Sequence, residues 1–247
     1  MRKFTVLFCA VTMLFSFCSI SAAVAGEDSI TGSISEDLRT GYLGNGGFMF
    51  SNRGVSQTDA SLYYKGFRVE AWLSTNFNGE FVENDGGEID LIAAKNRDYT
   101  IWGRSVNLDV GFAYFDCPTL FSSPDTVEFF VEAQLKTATR FTPFARGEFD
   151  FTTDDGRNKN TLFLGTLHQW KISDAFTLKS KGAGVFDLGD GTSDSGMILL
   201  IETGLDWKLS EKLTFKPIFL KATTPVFGAA DREGTEEVLG TNLTYKF

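Results

Sequence analysis

The sequence has little cysteine and a shortage of basic residues, and both features exclude classes of protein. It contains three cysteines, 23 basic and 32 acidic residues, for a formal net charge of −9. Proteins that bind nucleic acid need a basic patch or stripe, so this balance argues against nucleic acid as a partner. Cys9 and Cys18 lie in an N-terminal segment that we expect to be removed. The remaining Cys117 then cannot form a disulfide within the mature chain.

Long apolar runs are also scarce, and the longest lies at the N-terminus. Residues 2 and 3 are basic, residues 4–20 are largely apolar, and small residues follow up to Ala25. This order is typical of a secretory signal peptide. A membrane anchor is the alternative, but the run is short of the ~20 residues that a spanning helix needs. We therefore predict cleavage after Ala25, export, and one mature domain over residues 26–247.

Alternation of apolar residues with small or polar ones is the dominant pattern in the rest of the sequence. It is clear in residues 106–115, and residues 67–77, 127–136 and 197–208 repeat it. Side chains in a strand alternate between its two faces. The alternation holds for about ten residues, the length that a tilted strand needs to cross a bilayer. We predict an all-β fold, a transmembrane antiparallel up-and-down β-barrel of about twelve strands. The predicted strands lie near 30–43, 54–64, 67–77, 88–95, 101–116, 126–136, 140–151, 161–172, 176–187, 197–208, 212–222 and 236–247.

Two kinds of connection join the predicted strands. Long polar or glycine-rich loops alternate with tight turns, which is typical of an outer-membrane barrel. An even number of strands places both termini on the periplasmic side, together with the short turns. The tight turns are predicted at residues 65–66, 96–98, 137–139, 173–175 and 210–212.

Alternation does not by itself say which face of the strands points outward. A soluble lipocalin-like barrel also alternates, with its apolar face inward. Such a barrel needs only eight strands, however. The polar faces here also carry opposite charges close together, as in Arg146-Gly147-Glu148, which suit a wet lumen. We therefore predict that the apolar face points toward lipid. Glu36 is an exception on that face, and residues 161–172 fit neither parity.

The last predicted strand ends on the alternating apolar residues Leu243, Tyr245 and Phe247. We expect this strand to pair with the first one and close the barrel, because an open sheet edge cannot face lipid. A terminal aromatic residue in this pattern also resembles the signal by which outer-membrane proteins are recognised for assembly. Phe247 is therefore the predicted contact with the barrel-assembly machinery.

Several short motifs in the first half of the sequence carry a resemblance to a known family. They are RGVSQTD (53–59), GFRVEAWLSTNF (66–77), GGEIDLIAA (86–94) and VNLDVGFAYFDCP (106–118). Together they are similar to the TorF-type porin family of proteobacterial outer membranes. The resemblance implies a barrel with a pore in a Gram-negative bacterium, and it implies no particular substrate and no functional residues.

Histidine is nearly absent from the sequence, which bears on the possibility of an enzyme. Enzymes among outer-membrane barrels place a histidine with a serine or acidic partner at the rim. His168 stands alone, and Trp170 occupies the position where a His-x-Ser spacing would need serine. We interpret His168 as a residue of the periplasmic rim and predict no catalytic residues. The acidic stretch 187–196 lacks EF-hand spacing, so we predict no metal and no cofactor.

The predicted function is that of a small passive channel, a porin for small hydrophilic solutes. Eight-stranded barrels are filled by side chains and sixteen-stranded ones hold a channel, so twelve strands predict a narrow lumen. Outer-membrane lipids and lipopolysaccharide are the other expected partners. The alternatives are a non-conducting structural or adhesive barrel acting through its extracellular loops, and a rim-site hydrolase disfavoured by the single histidine. The predicted pore-lining residues are Arg68, Glu70, Trp72, Asp90, Asp109, Glu128, Glu132, Arg146, Glu148, Asp150, Lys179, Lys181, Glu202 and Asp206.

The charges on the predicted polar faces also bear on ion selectivity. Acidic residues outnumber basic ones there, which predicts a weak preference for cations. Lys179 and Lys181 share one face of one strand. They form an alternative, a local track for anionic solutes, because selectivity is set at the constriction.

Overall fold

The structure is a computed structural model, and it describes residues 29–44, 49–77, 87–116, 126–152, 160–188, 196–228 and 234–247. The predicted signal peptide, Cys117 and most of the acidic stretch 187–196 lie outside these residues. Within the described ranges, no helix is long and apolar enough to cross a membrane.

Antiparallel strands account for almost all of the described residues. In chain order they are β1 (Thr31–Arg39), β2 (Tyr42–Leu43), β3 (Met49–Ser51), β4 (Val55–Tyr64), β5 (Phe67–Asn76), β6 (Glu88–Ile101), β7 (Arg104–Asp116), β8 (Thr126–Leu135), β9 (Phe141–Thr152), β10 (Asn160–Lys171), β11 (Phe176–Asp187), β12 (Gly196–Lys208), β13 (Leu213–Phe227) and β14 (Glu236–Lys246).

Twelve of these strands form one closed barrel. From β4 to β14 each strand pairs with the next one along the chain, and β1 pairs with both β4 and β14. The strands β2 and β3 stand apart as a two-stranded hairpin in the connection between β1 and β4. The predicted fold, an up-and-down barrel of twelve antiparallel strands, is therefore confirmed.

The first and last barrel strands meet at Gly32 and Phe247. The backbone N–H of Gly32 donates to the carbonyl of Phe247 over 3.1 Å, and the N–H of Phe247 donates back over 3.0 Å. The Phe247 ring covers Gly32 so closely that a Cβ atom at residue 32 would lie 2.5 Å from the ring Cζ. Glycine is required at this close approach, and the predicted pairing of the last strand with the first is confirmed.

The outer face of the barrel is apolar around its circumference. Val69 is 60% exposed and Phe112 is 57% exposed, and both lie on this face. Exposed apolar side chains from other strands continue the band, and they include Leu38, Leu91, Phe141, Phe149, Leu164, Ile201, Ile218, Leu239 and Leu243. A continuous apolar band of this kind suits lipid rather than water. The apolar face thus points outward as predicted, and the lipocalin-like alternative is excluded.

Cations and aromatic rings are paired at the end of the barrel that carries the short turns. The Lys95 ammonium lies 3.6 Å from the centre of the Phe67 ring. The Arg140 guanidinium lies 5.8 Å from the Trp170 ring. Amphipathic rings and long basic side chains favour the boundary between hydrocarbon and water, so this end matches a membrane interface.

One predicted turn is wrong. Strand β6 continues through residues 96–98, and the chain turns at Trp102 and Gly103, whose φ angles are 49° and 74°. The side-chain amides of Asn96 and Asn107 donate to each other across β6 and β7 over 2.8 Å. The polar residues that suggested a turn are therefore paired on the inner face of a longer hairpin.

Glu36 lies on the outer face of β1, where the sequence placed it as an exception. Its carboxylate accepts a hydrogen bond from the Ser56 hydroxyl and another, 2.6 Å long, from Thr58. Both hydroxyls belong to the neighbouring strand β4. These two bonds replace part of the hydration that the carboxylate would lose in lipid.

Candidate functional site

The residues on the inner face of the barrel can be identified by starting from one buried pair of side chains. Gln57 and Ser74 stand opposite each other on β4 and β5, and both are buried. Directly opposite residues of antiparallel strands share a face, so this face can be followed from strand to strand. Every predicted pore-lining side chain lies on it.

The Arg68 guanidinium joins carboxylates from two strands. It pairs with Glu70, two residues further along β5, and with Asp109 of β7 at 3.2 Å. The i, i+2 spacing brings Arg68 and Glu70 to one face of a strand, as alternation requires. One cation is therefore shared by two predicted pore-lining acids.

Arg146 forms a larger network on the neighbouring strands. Its Nε lies 2.6 Å from Glu148, and its two terminal nitrogens lie 3.1 Å from Glu128 and 3.7 Å from Glu132. The guanidinium also lies 4.3 Å from the centre of the buried Phe130 ring. A single guanidinium thus holds carboxylates from both β8 and β9 together.

We call the inner face of β4 to β9 the acidic wall. Its carboxylates are those of Asp59, Glu70, Glu88, Asp90, Asp98, Asp109, Glu128, Glu132, Glu148 and Asp150. The cations on this wall are Arg68, Arg146 and Lys136, and Lys136 pairs with Asp98 at the short-turn end. Acidic side chains therefore dominate half of the inner face.

Asp90 stands out on the acidic wall because it is 8% exposed and its Oδ1 has no hydrogen-bond partner among the described residues. Trp72 on β5 stands directly opposite Asp90 of β6 and, on its other side, directly opposite Asp59 of β4. The indole is thus flanked by two carboxylates from neighbouring strands.

The lysine wall is the inner face of β11 to β13, with Lys179, Lys181, Lys216 and Lys221. Lys179 pairs with Asp206 at 2.7 Å, and Lys221 lies 3.7 Å from Glu202. Lys181 lies 5.6 Å from the centre of the Phe144 ring. The two lysines that form the predicted anion track therefore share a strand face, and one of them is held by a carboxylate.

An apolar patch interrupts the charged inner face from β9 to β12. It consists of the buried residues Phe144, Phe163, Ala183, Val185, Ile198 and Leu200. These residues come from β9 to β12 and lie on the inner face. Phe163 therefore faces inward while Leu164 faces outward, which explains why residues 161–172 fit neither parity.

The hairpin of β2 and β3 folds against the acidic wall at the end of the barrel opposite the short turns. The Tyr42 hydroxyl donates to Glu88. The Tyr42 ring lies 5.5 Å from Trp72 and 4.8 Å from Phe50, measured between ring centres. Leu43 of the same hairpin is fully buried. The sequence predicted strand 30–43 to continue through this segment, but β1 ends at Arg39 and the chain bends inward.

Several inner-face residues were absent from the predicted set, notably Arg39, Asp59 and Lys221. Arg39 pairs with Asp37 at 3.2 Å, and its guanidinium lies 4.9 Å from the Phe219 ring. The alternation of side chains along β1 and β4 places Arg39 and Asp59 on the inner face, so both could have been predicted from the sequence. Register irregularities in β13 near Phe219 break the alternation that would have led to Lys221.

His168 lies on the outer face of β10, near the short-turn end. Its ring stacks on Phe141 at 4.6 Å between centres. It is therefore separated by the barrel wall from the carboxylates of the inner face. Among the described residues, no three His, Cys, Asp or Glu side chains are arranged to hold a metal ion.

Comparisons with known proteins support the fold. No family model and no curated protein sequence matches the chain. The chain is similar to the solved structure of the KdgM porin in complex with disordered oligogalacturonate, with a TM-score of 0.53 and 9% identity over 88% of this chain and 99% of that one. The NanC porin gives a TM-score of 0.53 and 9% identity over 87% of this chain and 100% of that one. At this identity the similarity shows a common porin-like barrel fold.

Proposed function

We propose that this protein is a channel of the bacterial outer membrane that passes small hydrophilic solutes. The observation that carries the proposal is the opposite chemistry of the two faces of one closed barrel. The outer face is aliphatic and aromatic, whereas charged side chains line much of the inner face. A wall of this kind separates lipid from a polar interior.

The proposed location follows from the outer face. The apolar band and the cation–aromatic pairs at the short-turn end fit a bilayer and its interface. Lipids and lipopolysaccharide are the molecules that would contact this surface in the outer membrane. The motifs that resemble those of the TorF-type porin family and the porin-like fold support the same location. We further propose that Phe247 is the contact with the barrel-assembly machinery.

The acidic wall favours cations over anions in the proposed channel. Its two guanidinium groups are each shared among several carboxylates, so negative charge is in excess there. On the lysine wall, Lys179 is paired with Asp206. Acidic rings in a pore favour cations. We therefore propose a weak cation preference.

A structural barrel without conductance is the second candidate, and the apolar patch favours it. Phe163 and Leu200 face inward yet are almost completely buried. Side chains buried in this way leave less room for water along β9 to β12. In this alternative the barrel would act through its extracellular loops. We propose no catalytic role for His168, whose ring is stacked on Phe141.

Swelling of liposomes tests the proposed function directly. The refolded mature protein is incorporated into liposomes, which are then diluted into isotonic solutions of uncharged sugars of increasing size. We expect swelling with the smallest sugars and a steep loss with size, because a twelve-stranded lumen is narrow. Protein that is shown to be folded and inserted but causes no swelling with any sugar would support the structural barrel.

A further inference from the structure

The inner face contains a cluster of aromatic rings and carboxylates that the channel function alone does not require. We define the Trp72 cluster as Trp72, Tyr42, Asp59 and Asp90. Asp59 and Asp90 stand on either side of Trp72, and the Tyr42 ring lies 5.5 Å from the Trp72 ring. The cluster lies where the hairpin of β2 and β3 meets the acidic wall.

Asp90 is the residue that points to a missing positive charge. It is more than nine-tenths buried, and its Oδ1 has no partner among the described residues. Its neighbours on the acidic wall include Glu88, two residues earlier on the same face of β6, and Glu70, two residues before Trp72 on the same face of β5. A buried carboxylate surrounded by like charges is costly unless a cation or a proton compensates it.

The cations nearby are committed to other carboxylates. Arg68 is shared by Glu70 and Asp109, and Arg146 is shared by three glutamates. In the part of the chain that the structure describes, no basic side chain forms an ion pair with Asp59 or Asp90. A cation that pairs with Asp59 or Asp90 would therefore have to come from outside the chain.

The chemistry of the cluster selects an organic cation over a metal ion. Hard metal ions require several oxygen ligands converging on one point, and the described residues contain no such group. Trp72 and Tyr42 instead provide aromatic faces next to carboxylates. Aromatic faces attract ammonium and guanidinium groups, and the carboxylates would accept their N–H donors.

We propose that the Trp72 cluster binds an organic cation, the ammonium or guanidinium group of a small solute, on its way through the barrel. This inference rests on the proposed channel, because a solute would reach the cluster through the lumen. It adds a substrate class to that function. The carboxylates of Asp59 and Asp90 bind the charged group, and the Trp72 ring packs against it.

Calorimetric titration of the folded protein in detergent micelles tests this site without relying on conductance. The probe is L-argininamide, which carries an ammonium and a guanidinium group, and the matched neutral probe is propionamide. We expect L-argininamide to bind with one site per chain and propionamide not to bind. Binding of calcium ions at the same site, with displacement of L-argininamide, would overturn the assignment to an organic cation.

Variants connect the binding to the cluster. Asp90→Asn should weaken L-argininamide binding by about tenfold or more, because a charged hydrogen-bond acceptor is lost. Asp98→Asn is the matched control, because Asp98 lies on the same face of β6 and pairs with Lys136 outside the cluster. The control should bind as the unmodified protein does. Equal binding by Asp90→Asn and Asp98→Asn would refute the site.

The aromatic contribution has its own test. Trp72→Leu should weaken binding by about two- to fivefold, whereas Trp72→Phe should retain part of it, because the benzene ring keeps an aromatic face. Unchanged binding by Trp72→Leu would remove the ring from the site. A protein that binds the probe but does not swell liposomes would contradict the channel and keep the site. Swelling without any binding would keep the channel and contradict the site.

Discussion

Adding a single methyl group at Gly32 should destabilise the barrel at its closing seam. An ideal Cβ at residue 32 would lie 2.5 Å from the Phe247 ring and 2.8 Å from the carbonyl oxygen of Ser61. Contacts this short force the ring and the backbone to move. Overpacking of this kind costs about 1–3 kcal/mol. Replacing glycine by alanine in a strand stabilises the folded state by about 0.5–1 kcal/mol, which offsets part of this cost. Gly32→Ala should therefore lower the free energy of unfolding by about 0.5–2 kcal/mol.

Gly182→Ala is the matched control for this prediction. Gly182 also lies on the outer face of a barrel strand, and nothing stands within 4 Å of its ideal Cβ. The control should therefore be neutral or stabilising by about 0.5–1 kcal/mol. Folding of both variants into lipid vesicles can be followed by tryptophan fluorescence across a urea gradient.

A double-mutant cycle separates the two sources of strain at Gly32. In a Phe247→Ala background the ring is gone, so the cost of Gly32→Ala should fall by about 0.5 kcal/mol or more. The cost that remains reports the contact with the Ser61 carbonyl. If the costs of Gly32→Ala and Phe247→Ala are strictly additive, the close contact between the Phe247 ring and residue 32 is refuted. Equal effects of Gly32→Ala and Gly182→Ala on the free energy of unfolding would also refute it.

Four further predictions concern the inner face, assembly and location. Arg146→Met should lower the free energy of unfolding by about 3–5 kcal/mol, because it leaves three glutamates without their cation. Lys136→Met, which breaks a half-exposed pair, should cost far less than Arg146→Met does, and equal costs in urea titrations would contradict the network. The double variant Lys179→Ala, Lys181→Ala should leave the sign of the reversal potential unchanged. A clear anion preference of the unmodified protein that is lost in this variant would support the anion track instead. Deletion of Phe247 should reduce the yield of folded barrel in cells, and normal yield would argue against its role in assembly. The mature protein should fractionate with the outer membrane, and recovery from the soluble periplasm would contradict the location.

The faces of most strands could be predicted from the sequence because the period of a strand is fixed at two residues. Once Phe112 or Val69 is assigned to the lipid-facing side, the residues immediately before and after it must face inward. The exceptions arise where the inner face is apolar. Phe163 and Leu164 are adjacent and face opposite ways, so alternation of hydrophobicity disappears in β10 although alternation of direction remains.

Side-chain partners on neighbouring strands could not be predicted from the sequence, because the register between two strands is not encoded in either strand alone. The pairing of Arg146 with Glu148 could be predicted from their spacing within one strand. Its bonds to Glu128 and Glu132 depend on how β8 aligns with β9. The inward fold of Tyr42 toward Glu88 depends on a contact between residues far apart in the chain, for which no local pattern exists.

Recording of single channels from the refolded mature protein in planar bilayers tests the central claim, that the barrel conducts, most directly. We expect discrete current steps and, in a salt gradient, a reversal potential that corresponds to a weak cation preference. The physical reason is the excess of carboxylates on the acidic wall. The absence of any conductance from protein whose folded state is demonstrated in the same preparation would contradict the claim.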